Sequence, residues 1–357
     1  MIFTNLYNSG KINGILWVLV FSVMIFSACD RDGDNGPSNQ GPANFEWIVA
    51  DYITGTSVYF SADISGNLDE VINLGFCWSE NSLPSLDDNV IYMTDNIPGI
   101  FSFRLAGLLE DKTYFVRAFY TIDGNEFYSE EKVFQTTEPV QHDDYNYGIV
   151  KIGDQLWMGE NLRTKTYNNG DSITSGFGMG NYSNQSEPKY YFFYDDSIDT
   201  MADYGLLYTW YVVTDSRGVC PAGYRIPDIY DFEKLVLHLD PLATTIDNLV
   251  PGEFNMSAIA GGMLKATGNL DDGTGLWESP NGEANNVTHM NVLPSGLRDP
   301  SGSFAGLGFN AAFWSYTEED ISRGIMFYMH FFNGAFNTNK FSKKSGYAVR
   351  CMKDADF

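Results

Sequence analysis

The chain has 357 residues, room for two or three domains, and 46 acidic against 21 basic side chains give it a formal net charge of −25. Such a surplus repels phosphate backbones, whose affinity rests on Lys and Arg displacing counterions, so nucleic acid is excluded as a partner. Aromatic residues (22 Tyr, 26 Phe, 7 Trp) and 35 glycines suit a β-rich, loop-rich protein working outside the cytoplasm.

Residues 1–28 read as a signal peptide. Lys11 supplies a positive flank, and Ile15 to Phe26 is an apolar run too short and too poorly flanked to span a bilayer. FSAC then closes the run with small residues before Cys29. This ending resembles the lipobox of bacterial lipoproteins, which implies that Cys29 becomes the acylated first residue of the mature chain and anchors it to a membrane. Residues 29–44 are rich in Gly, Asn and Asp, cannot bury a core, and read as a flexible tether. Their acidic cluster resembles the export signal of Bacteroidota lipoproteins, which implies an outer-membrane protein exposed at the cell surface; the competing reading is a solvated linker on a periplasm-facing lipoprotein. With Cys29 assigned to lipid, Cys77 in the apolar run NLGFCWS reads as a buried free thiol. Cys220 and Cys351 are left to pair in an oxidising compartment.

Residues 45–137 show short alternating runs separated by turn residues, the pattern of an antiparallel sandwich. Strands are expected at Ser57–Ile64, Ile72–Ser79, Ile100–Leu105, Thr113–Ile122 and Lys132–Thr137. In YFVRAFYTIDGNEFY, Tyr114, Val116, Ala118 and Tyr120 share one face, and Asp123-Gly124 makes a hairpin turn. GLLEDKTYFVRAFY resembles the corner region of fibronectin type III domains, with Tyr114 as the corner tyrosine; such a domain is expected to act as a spacer. Residues 138–146, EPVQHDDYN, read as a polar linker.

The blocks YGIVKIGDQLWMGENLRTKTYNNGDSI, YGLLYTWYVV, GVCPAGYRIPDIYDFEKL, GGMLKATG, LPSGLRDPSGSFAGLGFNAAFWSYTEED and GYAVRCMKD then follow in order. Together they make residues 147–357 resemble the Fibrobacter succinogenes major paralogous domain family. That resemblance implies an α+β unit of C-type-lectin-like fold, two helices packed on small twisted antiparallel sheets with long loops on one side. The residues agree: IVKIGDQLWM reads as a strand pair turning at Gly153-Asp154, with GYAVRCMK a strand near it. Helices are expected over Tyr204–Val213 and Asp228–Leu239. In the second, Pro227 bars an earlier start, Asp228 is the N-cap, and Ile229, Phe232, Leu235, Val236 and Leu239 fall on one face.

Catalytic signals are weak. There is no Gly-x-Ser-x-Gly elbow, and His142, His238, His289 and His330 show no triad spacing. GFGMGN at Gly176 has neither the strand before it nor the helix after it that a phosphate cradle needs. The family's relatives include formylglycine-generating enzymes, which use a cysteine pair, whereas Cys351 alone stands in the last hundred residues, so the chain is expected not to be an enzyme. No cofactor is expected. Calcium is the one ion that the acidic runs Asp195, Asp196, Asp199, Asp203 and Asp271 to Asn286 could attract, though neither matches an EF-hand loop and the Glu-Pro-Asn and Trp-Asn-Asp signatures of sugar-binding lectins are missing. DSI at Asp171 and Asp196 and DTM at Asp199 resemble the short O-glycosylation motif of Bacteroidota.

Trp277 stands in a loop of Gly, Asp, Asn and Glu, where an aromatic face beside polar groups suits a sugar ring; the competing reading is a core tryptophan anchoring its own loop. Trp157, Trp210 and Trp314 read as core. The candidate ligand-binding residues are Asp271, Asp272, Trp277, Glu278, Asn281, Glu283, Asn285 and Asn286. The expected function is a non-enzymatic surface binding module for a polysaccharide or a partner protein, with an envelope-assembly role lacking a small-ligand site as the alternative.

Overall fold

The computed structural model describes residues 42–94, 98–250 and 252–355. The expected signal peptide, Cys29 and the expected tether up to residue 41 lie outside the described residues. Strand dominates what is described, and no described helix is long and apolar enough to cross a membrane.

Eight strands build the first unit: β1 (Ala43–Asp51), β2 (Ser57–Gly66), β3 (Asn73–Ser79), β4 (Asn89–Tyr92), β5 (Gly99–Ala106), β6 (Thr113–Ile122), β7 (Asn125–Tyr128) and β8 (Lys132–Gln135). One sheet runs β1-β2-β5, and the other β4-β3-β6-β7 with β8 also on β6, an all-β sandwich. Period-two alternation sends Val58, Phe60 and Ala62 from one sheet against Phe76, Val116, Ala118 and Phe134 from the other. Asp123 and Gly124 both take positive φ (46° and 81°), as a two-residue hairpin loop between Ile122 and Asn125 requires. At the corner, the Leu109 N–H donates to the Tyr114 hydroxyl at 3.2 Å. Cys77 is free and buried, and burial pushes its thiol up to about 12.

Two boundaries differ from the sequence reading. The sandwich starts at Ala43, inside the expected tether, because this edge strand pairs through its backbone with β2 and alternates too poorly to be legible. Residues 138–146 are not a loose linker: Val140–His142 and Tyr145–Tyr147 form a hairpin turning at Asp143-Asp144, and the His142 ring donates to Val219 O at 2.9 Å. The sandwich also touches the second domain. Ile53 and Lys151 exchange two backbone hydrogen bonds, Thr137 Oγ1 donates to Ile149 O at 2.7 Å, and Arg104 donates to Val287 O.

In the second unit, Ile149–Ile152 and Gln155–Met158 form the expected pair, and Met352–Asp354 joins them, so both ends of the domain meet. A six-stranded sheet (Thr174–Ser175, Tyr190–Phe192, Leu207–Thr209, Gly346–Tyr347, Ser295–Arg298, Phe304–Leu307) and a four-stranded sheet (Asn255–Ser257, Phe336–Ser342, Arg323–His330, Asn310–Glu318) complete it. The long helix is Ile229–Leu239. The Asp228 carboxylate accepts from Tyr230 N and Asp231 N, and Asp231 returns a bond to Asp228 N, a full capping box. Phe232, Leu235, Val236 and Leu239 are buried, and Phe232 stacks on Phe327 at 4.2 Å.

The helix expected over Tyr204–Val213 is absent. One helical turn (Met201–Tyr204), a strand (Leu207–Thr209) and another turn (Trp210–Val213) replace it, because Tyr208 finds strand partners at Tyr191 and Tyr347 that are distant in sequence. Cys220 and Cys351 form a disulfide with Cα atoms 5.8 Å apart, set in a core with Trp314, Tyr208 and Tyr347.

Candidate functional site

The long loops are held from within by cations. Lys265 ends the short helix Ala260–Leu264 and is fully buried. Its Nζ donates to Gly282 O (2.9 Å), His330 O (3.0 Å) and Asn333 O (2.8 Å), using all three ammonium protons. Burial pushes its pKa down to about 8, so it remains mainly charged at neutral pH. Arg298 and Arg350 act alike. Arg298 donates to Gly176 O, Met179 O and the Asp196 carboxylate, and Arg350 to Met290 O (2.5 Å), Asn291 O (3.3 Å) and Asn161 Oδ1 (2.8 Å). Each buried guanidinium or ammonium satisfies carbonyls that irregular loops leave without ladder partners.

Trp277 belongs to this interior, which corrects its place among the ligand-binding candidates. It is 0% exposed, lies 5.1 Å from Lys265 Nζ by its ring centre, and donates Nε1–H to Val292 O at 3.0 Å. A long loop without regular structure needs an apolar anchor of its own, and Trp277 supplies it. Asn281 is also interior: its amide donates to Ala266 O and Gly268 O at 2.9 and 2.8 Å. Two glycines permit the packing. A Cβ on Gly262 would meet Glu283 O at 2.4 Å, and one on Gly282 would meet Phe332 O at 2.5 Å.

The remaining candidates lie in three places. Asp271 and Asp272 are exposed at a turn, where Asp272 accepts from the Asn269 amide at 2.8 Å. Glu283, Asn285 and Asn286 lie at the loop base and serve its own backbone and neighbours: Glu283 Oε2 accepts from Gly334 N (2.7 Å), Asn285 Oδ1 from Val287 N (3.0 Å), and Asn286 pairs with Asn291. Glu278 is half-buried, and its N–H donates to Gly308 O at 2.8 Å. Among the described residues, no three of His, Cys, Asp or Glu come together as a metal-holding group.

What the loop base supports is a row of rings that the sequence reading missed. On strand Arg323–His330 and the turn after it, Tyr328, His330 and Phe332 alternate along FYMHFF. Tyr328 and His330 lie edge to face at 5.2 Å, and His330 stacks with Phe332 at 5.0 Å. Phe331 and Phe309 extend the row at 5.5 and 5.2 Å. Phe332 is 54% exposed and Phe309 44%. Alternate aromatic spacing running past a strand end was the available signal.

A concavity of about 500 Å³ lies between sandwich and second domain, lined by Thr54, Glu110, Tyr145, Glu160, Asp203 and His289 among others. Its Glu160 is engaged by the Tyr145 hydroxyl (2.6 Å) and Arg163 (3.0 Å). Burial and nearby Arg104 hold His289 below the usual histidine range.

Residues 150–353 match the Fibrobacter succinogenes major domain, more than half of the chain, and the protein belongs to that family. No curated protein matches the chain. Among solved structures it is similar to the sensor domain of the anti-sigma factor RsgI4 of Pseudobacteroides cellulosolvens, at 21% identity and a TM-score of 0.23 over 27% of this chain and 96% of that one. It is also similar to the third fibronectin III domain of the human KIAA0343 protein, at 13% identity and a TM-score of 0.22 over 32% of this chain and 98% of that one.

Proposed function

We propose that the chain is a bacterial lipoprotein, anchored through Cys29 and exposed at the outer-membrane surface, whose second domain is a non-enzymatic binding module for a polysaccharide or a partner protein. The observation that carries the binding reading is the turn Phe331–Ala335. Its backbone is pinned by Lys265, Glu283 and Gly282 while Phe332 remains open to solvent. A recognition surface that is ordered before binding loses little entropy on contact. For the second domain we adopt the C-type-lectin-like fold, which accords with its paired terminal strands, the capped helix packed against sheet residue Phe327, and its long loops.

The test is retention on cells. Bacteria carrying the chain are expected to hold labelled polysaccharide or envelope protein at their surface, and to lose both that retention and palmitate labelling of the chain with Cys29→Ala. Equal retention by cells lacking the chain would refute the binding reading.

A further inference from the structure

The ring row carries a ligand class. We propose that Tyr328, His330 and Phe332 form the binding face for an uncharged polysaccharide, an inference that rests on reading this domain as a binding module. Tyr328 and His330 are half-buried, and Phe332 closes the row with more than half of its surface free. An exposed contiguous aromatic face on a folded domain marks a contact site, and rings bordered by hydrogen-bonding groups suit a ligand with apolar C–H faces and hydroxyl edges.

The polar groups at its border are neutral. Asn310 is the register partner of His330 on the neighbouring strand, and its side-chain oxygen is buried without a hydrogen-bond partner. Asn333 adjoins Phe332, its Oδ1 accepting from Ala335 N at 3.2 Å. Of the charges next to these amides, Lys265 is buried beneath the turn and held by three carbonyls, while Glu283 is an exposed carboxylate that accepts from Gly334 N. Burial and the Lys265 charge hold His330 below the usual histidine range. A uronate or sulfated polymer finds no free cation here, and the chain's net charge of −25 repels it. A stable protein partner needs about 800 Å² on each side, far more than a few rings provide, whereas a short run of sugar units matches them.

The backbone under the rings is fixed at successive residues. Lys265 holds His330 O and Asn333 O on either side of Phe332, Gly282 N donates to Phe331 O at 2.7 Å, and Glu283 holds Gly334 N. The rings are therefore placed before a ligand arrives.

The experiment is calorimetric titration of the full-length chain in zwitterionic detergent with soluble β-glucan, mannan and arabinoxylan, and with polygalacturonate as the anionic probe. Saturable binding to at least one neutral polymer is expected, weakened at least tenfold by Phe332→Ala and by His330→Ala and largely kept by Phe332→Tyr, with unchanged melting temperatures because both side chains are partly exposed. Wild-type binding that survives Phe332→Ala and His330→Ala overturns the ring face while leaving the module reading standing. Polygalacturonate binding as tight as the neutral polymers overturns the uncharged class. No binding to any polymer overturns the proposal, and retention of an envelope protein on cells would then preserve the module reading without it.

Discussion

Lys265 Nζ lies 5.1 Å from the ring centre of Trp277, and neither side chain reaches solvent. The pair joins three pieces of chain: the helix end that carries Lys265, the loop that carries Trp277 and Gly282, and the strand end and turn that carry His330 and Asn333. A cation that donates to three carbonyls and faces a π surface replaces the ladder that irregular backbone lacks.

Lys265→Met keeps the stem and removes the ammonium, leaving three partly buried carbonyls without their donor. Each unsatisfied buried acceptor costs about 1–3 kcal/mol, so a loss of about 3 kcal/mol or more is expected, read as a lower urea midpoint at unchanged slope. A midpoint equivalent to wild type would show that Lys265 does not hold the loop.

His238 Nε2 sits 2.6 Å from Asp51 Oδ2, joining the long helix to the sandwich. The Asp51 hydrogen bond raises the His238 pKa above its ordinary value of 6.5, overcoming the opposing effect of burial. A raised folded-state value means that the contribution is full below about 6.5 and is lost as pH rises through the folded value. The stability difference between wild type and Asp51→Asn is therefore expected to be largest near pH 6 and to shrink towards pH 9. Its size should be about 1 kcal/mol or less, as for a partly exposed, screened pair. A difference that grows with pH would contradict this assignment.

The Cys220–Cys351 bond closes a loop with a sequence separation of 131. Its chain-entropy contribution has an upper estimate of about 5 kcal/mol. Replacing both cysteines with serine is expected to lower the denaturation midpoint markedly, and reductant should lower the wild-type midpoint while leaving that of the double variant unchanged. Reductant acting equally on both proteins would place the effect elsewhere.

Local signals were legible without any structure. The capping box at Asp228, the three-to-four spacing through Leu239, the Asp123-Gly124 turn and the alternation around Tyr114 each depend on residues a few positions apart, so the sequence alone carries them. The cysteine pair was legible by elimination. The family blocks were also visible, and they contain Lys265, Arg298 and Arg350, yet nothing in a block says that its cation is interior.

Sequence by itself determined the capped helix, most of the sandwich strands, the paired cysteines and the family. Tertiary structure decided the rest. YGLLYTWYVV became a strand between two helical turns because Tyr191 and Tyr347 supply its hydrogen bonds. Trp277 became core because Lys265 and Val292 O meet it from other segments. Phe332 became open because Lys265 and Gly282 fix the turn beneath it. The physical reason is the same in each case: burial and hydrogen-bond satisfaction belong to pairs of residues, and pairs distant along the chain are defined only once it has folded.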